Sequence, residues 1–242
     1  MVEQEKTFSE IATESLCDKV IAVLKEAFFA GTLRPGDPII ERRLAKEMNI
    51  GTPAVREALV SLQEQGFVQR IANKATYVRK FSVDEVDQLY RLRIEFELLA
   101  FRWAKPRVVE SDLQELERLI EMIAESAVKK RTHEFYERDL EFHRRCWSLS
   151  GNTFLFRSLD TLVTPLFAFV LNASEDTVRV EIAREHYTLV NALRRLDDPD
   201  FGAAVQRALS GFALSGMKSM IKQEAANEPS ETRSNPDPVT QI

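Results

Sequence analysis

The sequence predicts a mostly α fold in two parts: an N-terminal winged helix-turn-helix followed by an all-helical antiparallel bundle. Three observations carry this. Leu44, Ala45 and Met48 form one short apolar stripe, and Val55, Leu59 and Leu62 form another just behind it, the spacing of two helices joined by a tight turn. Phe67-Val68 and Tyr77-Val78 bracket Ala72-Asn73-Lys74-Ala75, which reads as two strands around a basic hairpin tip. From Ser82 to about Gln223 the apolar residues keep helical spacing with short interruptions, so this stretch buries its stripes helix against helix.

In chain order, residues 1–7 are polar and read as frayed. A first helix is predicted from about Ser9 to Ala30, with Leu16, Val20, Val23, Leu24 and Ala27 as its buried face and Gly31 as its stop. Leu33-Arg34-Pro35-Gly36 is a turn. In the second helix of the close pair, Thr52 stands at the N-cap and Pro53 at the first helical position, where a hydroxyl can accept an orphan amide hydrogen and a missing N–H costs nothing. Gly66 ends that helix. Ser82 and Glu85 make a capping box, flanked by Phe81 and Val86 as a hydrophobic staple, so only a few residues connect the two parts.

Val86, Leu89, Phe96, Ala100 and Trp103 mark the next helix, closed by Pro106, and Ser111-Asp112-Leu113-Gln114 caps another that carries Leu116, Leu119, Ile120 and Ile123. Phe135 to Leu149 is a third, stopped by Ser150-Gly151-Asn152, and Leu155 to about Leu171 a fourth, kinked at Pro165. Arg179 to Leu196 and Phe201 to Gln223 complete the set. The predicted divisions are 8–80 for the winged domain, 81–223 for the bundle and 224–242 for a disordered tail, where prolines stand among polar residues.

Composition narrows the class. The chain has 242 residues, is 44% hydrophobic and carries a net charge of −5, enough for real cores and too acidic to coat nucleic acid indiscriminately. Charge is unevenly spread, with nine lysines and arginines against five acidic residues between 34 and 80, and 21 against 27 beyond 80. A basic reader on an acidic body suits site-specific DNA binding. The apolar runs are too short to span a bilayer and the N-terminus is no secretory signal. Cys17 and Cys146 form no metal motif and read as reduced thiols, so the predicted location is the cytoplasm, away from membranes.

Leu33-Arg34-Pro35-Gly36, Glu41, Leu44-Ala45, Val55-Arg56-Glu57-Ala58-Leu59, Leu62 and Gly66 resemble, at matching positions, the reader of the GntR family of bacterial transcription regulators. The resemblance implies contacts to double-stranded DNA from Arg34, Arg42, the helix-start residues Gly51, Thr52, Pro53 and Ala54, and Arg56, with Asn73 and Lys74 at the wing tip and Lys74 directed at the minor groove. Arg56 suits a phosphate or a guanine, the other reading being a salt bridge to Glu41 or Glu57. Two departures stand out: Thr52 replaces a base-reading arginine and Ala75 replaces the usual wing glycine, so the operator should differ from that of members that keep them.

In the bundle, three apolar stripes each carry a charged or metal-competent group. Arg93 lies on the stripe after the linker; Asp139 and His143 share a face with Phe135, Phe142 and Cys146; His186 shares one with Ile182, Leu189, Val190 and Leu193. Burying such groups is expensive unless they pair with each other, a metal or a ligand. Asp139-Leu-Glu-Phe-His143, Glu185-His186, Arg93-Ile-Glu-Phe-Glu97-Leu-Leu-Ala100 and the Ser150-Gly151-Asn152 turn resemble the FadR-like subgroup of the same family, with its FCD-type effector domain. That resemblance implies a divalent metal, zinc by expectation, on Asp139, His143 and His186, and a small carboxylate effector at Arg93 and Asn152. The subgroup's histidine on the last helix is missing, its place falling near Ala208 to Gly211. Three protein ligands suffice at an open site; the competing reading is a buried Asp139–His143–Arg93 hydrogen-bond network.

The leading expectation is therefore a homodimeric regulator, a repressor by the commoner family behaviour, reading a palindromic operator in response to an organic acid. A metal-dependent hydrolase built on Asp139, His143 and His186 is the rival, but the chain offers no general base placed as in H-E-x-x-H. A purely architectural DNA protein would need an inert bundle core.

Overall fold

The structure is a computed structural model and describes residues 15–71, 75–173, 180–195 and 199–211. The chain divides between Lys80 and Phe81 into two compact units.

In the first unit, α1 (Leu16–Phe29) begins at Ser15, whose side chain accepts from the Asp18 amide, and stops where Gly31 turns to φ 68, a conformation that suits glycine. Its buried face is Val20, Leu24 and Phe28; Leu16 and Val23, expected inside, are about half exposed. They sit together on the flank of a stripe that advances by fours through Phe28, so the wider stripe drawn from the sequence was too generous. The predicted start at Ser9 lies outside the described residues.

A short strand, β1 (Pro38–Ile39), leads to α2 (Glu41–Glu47) and α3 (Thr52–Glu64). Asn49 takes φ 53 in the turn between these helices, which asparagine tolerates better than most residues. The N-cap of α3 is Gly51, with Thr52 and Pro53 already inside the first turn; Thr52 therefore caps nothing. Val55, Ala58, Leu59 and Leu62 are buried against α1, and Phe28 stacks on Phe67 at 5.3 Å. The wing strands β2 (Val68–Arg70) and β3 (Thr76–Val78) pair antiparallel, and β1 adds to the other edge of β3, giving the order β1-β3-β2. The wing tip with Asn73 and Lys74 lies outside the described residues.

The second unit opens with α4 (Val83–Ala104), held by a complete Ser82–Glu85 capping box. Its buried face runs Val86, Tyr90, Arg93, Ile94, Glu97, Leu98, Phe101 and Ala104, while Trp103, expected in the core, is 40% exposed. α5 (Glu110–Val128) starts earlier than its serine suggested: Val109 is the N-cap, and Asp112 accepts from the Val109 amide. A turn through Lys130, at φ 54, reverses the chain into α6 (Thr132–Leu149), which packs on α5. Gly151, at φ 68, ends α6, and α7 (Thr153–Ala173) passes through Pro165 unbroken.

The predicted fifth helix is two, α8 (Val180–Glu185) and α9 (Tyr187–Arg194), with His186 at the junction. α10 (Phe201–Gly211) packs on α9 and α4. Its predicted continuation to Gln223, like the tail, lies outside the described residues. Among the described residues no helix is long and apolar enough to cross a membrane.

Candidate functional site

The predicted residues fall into two groups, one on each unit. On the first unit, Arg34, Arg42, Gly51, Pro53 and Arg56 are exposed, with Thr52 and Ala54 partly so. Arg56 presents its guanidinium to Glu41, Nε and Nη2 donating to one carboxylate oxygen at 3.1 and 3.0 Å. The pair bridges α3 to the start of α2. With the arginine side chain 61% exposed, it adds little stability but holds a fork-shaped donor at the start of α3, where a phosphate could take over from the carboxylate.

The second group converges. α4 brings Arg93 and Glu97, α6 brings Asp139 and His143, and the α8–α9 junction brings His186, all buried. Arg93 Nε donates to Glu97 Oε1 at 2.8 Å and its Nη2 to His143 Nε2 at 3.1 Å. Aromatic rings enclose the polar centre: Phe167 and Tyr90 lie 5.3 and 5.7 Å from the guanidinium carbon, and Phe142 meets the His186 ring edge to face at 4.7 Å.

Hydrogen-bond chemistry assigns the ring protons. A guanidinium only donates, so His143 Nε2 is an acceptor and its proton sits on Nδ1, 3.4 Å from Glu97 Oε2. His186 Nδ1 donates to the carbonyls of Ala183 and Ile182 at 3.0 and 3.2 Å. That leaves His186 Nε2 facing Asp139 Oδ1 at 2.8 Å, with His143 Nε2 3.6 Å from the same oxygen. Both imidazoles therefore turn Nε2 toward one carboxylate and give Nδ1 to an acceptor behind, the arrangement that orients metal-binding histidines.

Charge follows from this packing. Burial opposes ionisation of Glu97, yet Arg93 and His143 bring its pKa down to about 2. Burial likewise opposes Asp139, but His186 first, then His143 and Arg93, lower it below its ordinary value. Burial lowers His143, with Glu97 offsetting part of this. Burial would lower His186 too, but the Asp139 carboxylate outweighs it and holds the ring above its usual value. Between His186 Nε2 and Asp139 a cation is required, either a proton or a metal ion, because a bare lone pair against a carboxylate oxygen is repulsive.

The residues fit a metal. Asp139, His143 and His186 each offer one ligand atom within 4.8 Å of the others. Glu97 Oε2, Asp139 Oδ1 and His143 Nδ1 are buried without a well-formed hydrogen bond, as is the indole N–H of Trp147, four residues beyond His143. Unsatisfied buried polar atoms are costly and rare, and three of these four belong to Glu97, Asp139 and His143 of the same cluster. Two nitrogens and a carboxylate suit zinc or a neighbouring first-row ion with positions left open. Buried Leu209 of α10 lies in the stretch where the missing histidine was expected, and no titratable group among the described residues replaces it.

Glu97 is the functional residue that sequence reasoning missed. Its signal was its place four residues after Arg93 on the same stripe, and Trp103 on that stripe pointed to the wrong flank of the helix. Asn152 has a local duty, its side-chain oxygen accepting from the Leu155 amide at the start of α7. His133 is at the surface beside Glu137. Cys17 and Cys146 are free thiols.

Residues 16–78 match the family described as bacterial regulatory proteins, gntR family, and residues 88–211, just over half of the chain, match the FCD domain family. An HTH-type transcriptional regulator of Bacillus subtilis, YdhC, is 28% identical over 78% of this chain and 84% of its own length. The HTH-type transcriptional repressor RspR of Escherichia coli is 23% identical over 82% and 86%. Among solved structures, E. coli McbR/YncC superposes with a TM-score of 0.73 at 22% identity, covering 88% of this chain and all of its own, which shows the shared fold.

Proposed function

This chain belongs to the GntR family of bacterial regulatory proteins with an FCD domain, a DNA-binding transcriptional regulator and not an enzyme, and we propose that its helical unit binds a small organic acid that alters operator affinity. The observation that carries this reading is the buried cluster of Arg93, Glu97, Asp139, His143 and His186, in which Asp139, His143 and His186 each offer a ligand atom within 4.8 Å of the others. Asp139, His143 and His186 hold one divalent ion, zinc by donor type, which supplies fixed positive charge for a carboxylate. Arg93 contributes a second anchor for the acid, and Asn152 shapes the start of α7 nearby in sequence.

The winged unit, 8–80, reads a palindromic operator as one half of a homodimer. Arg34, Arg42, Gly51, Thr52, Pro53, Ala54 and Arg56 make the contacts at the helix pair, with Asn73 and Lys74 at the wing. Residues 81–223 bind the effector and dimerise, and the protein works in the cytoplasm. Repression relieved by the acid is the proposed sign, in keeping with relatives named as repressors. The acid acts by binding the DNA-competent and DNA-incompetent arrangements unequally.

Native mass spectrometry of the full chain, gently purified and equilibrated with zinc, tests this. The expected result is a dimer carrying one ion per chain, with the ion lost in His143→Ala. A bare dimer would overturn the metal assignment, and a monomer would overturn the palindrome.

A further inference from the structure

Arg93 and a metal ion need the same electron pair. The guanidinium reaches His143 through Nε2 at 3.1 Å, and a ring nitrogen has a single lone pair to give. That nitrogen is also the one turned toward Asp139, 3.6 Å from Oδ1. The other ring nitrogen carries the ring proton and faces Glu97 Oε2 at 3.4 Å, so it has no lone pair to give. An ion held by Asp139, His143 and His186 through this nitrogen therefore excludes the Arg93 bond.

We infer that Arg93 is a built-in competitor of the metal: its guanidinium occupies the ligating lone pair of His143, and the ion must displace it, freeing Nη2 to take the carboxylate of the effector. Glu97 makes the exchange feasible, because Nε keeps its 2.8 Å bond to Oε1 while Nη2 changes partner. The buried charge is never left alone. Metal and acid then bind with positive coupling, each raising the affinity of the other by the same factor. This deepens the metal assignment above and rests on it.

The test is a zinc titration of metal-stripped, full-length protein against a competing chelator. Arg93→Lys keeps the charge and a partner for Glu97 but replaces the two-pronged donor with a point charge. It is expected to bind zinc about tenfold more tightly than wild type, the worth of one charge-assisted hydrogen bond. A role through charge alone would leave its affinity unchanged. The Arg93→Gln/Glu97→Gln pair, which removes both charges together and leaves no buried ion unpaired, is expected to show the same tightening should the lysine variant not fold. Equal zinc affinity in wild type and the folded variants overturns the competition while leaving the metal site standing. No zinc binding by any of the folded proteins, wild type included, overturns both.

Discussion

At the residue scale, the chemistry lies in how a bundle core tolerates Arg93, Glu97, Asp139, His143 and His186. Each is 9% exposed or less, and each survives because an opposite charge or a fixed dipole faces it. The consequence is a pH dependence with a definite sign. Glu97 has its pKa lowered from 4.5 to about 2, so its contribution to stability is complete above 4.5 and is lost as the pH falls toward 2. Asp139, also lowered, acts in the same direction. His186 is raised above 6.5, so its pairing stabilises fully below 6.5 and fades as the pH rises through the raised value. In thermal melts of metal-free protein, Glu97→Gln should melt lower than wild type at pH 5 and lose less on going from 4.5 to 2. Parallel acid slopes for the two proteins would show that Glu97 is not ionised in the fold.

Helix ends show how local chemistry sets the elements. Ser82 with Glu85, Gly31 and Gly66 behave as their residue types require, because caps and left-handed stops are decided within a few residues. Gly151 is the sharpest case, at φ 68, where a Cβ would lie 1.8 Å from Arg107 Nη1. The arginine tip can move aside, but a left-handed backbone cannot be relieved so easily. Gly151→Ala is expected to destabilise by about 1 kcal/mol, read as a lower urea midpoint at unchanged slope; an unaltered midpoint would mean the turn relaxes. Where neighbours decide instead, sequence patterns misled. β1 is two residues long and forms only because β3 offers an edge. His186 separates α8 from α9 because its Nδ1 is drawn to the Ala183 and Ile182 carbonyls, a choice that apolar periodicity cannot register.

For the whole molecule, the division of charge assigns tasks, with a basic reader and an acidic helical unit. Arg56 is where this can be measured. Arg56→Ala should weaken binding to a DNA site selected from a random pool by about tenfold at moderate salt, and should reduce the slope of log affinity against log salt by about one if the contact is to phosphate. Fluorescence anisotropy at several salt concentrations gives both quantities. Unchanged affinity and slope would leave Arg56 as a partner of Glu41 only.

By itself the sequence determined the two-part mostly α plan, the reader's helix pair, the capping box at Ser82, and the presence of Arg93, Asp139, His143 and His186 on buried stripes. These follow from periodicity and from residue types whose effects reach only three or four positions along the chain. Tertiary structure alone decided that the three stripes meet, that Glu97 joins them while Trp103 turns outward, that Arg93 takes the lone pair of His143, and that Asp139 Oδ1 lies 2.8 Å from His186 Nε2. Asp139 lies on α6 and His186 at the α8–α9 junction, and Arg93 is 50 positions from His143. At such separations a distance is set by how whole helices pack, and no local pattern encodes which side of a wide apolar stripe faces its neighbour.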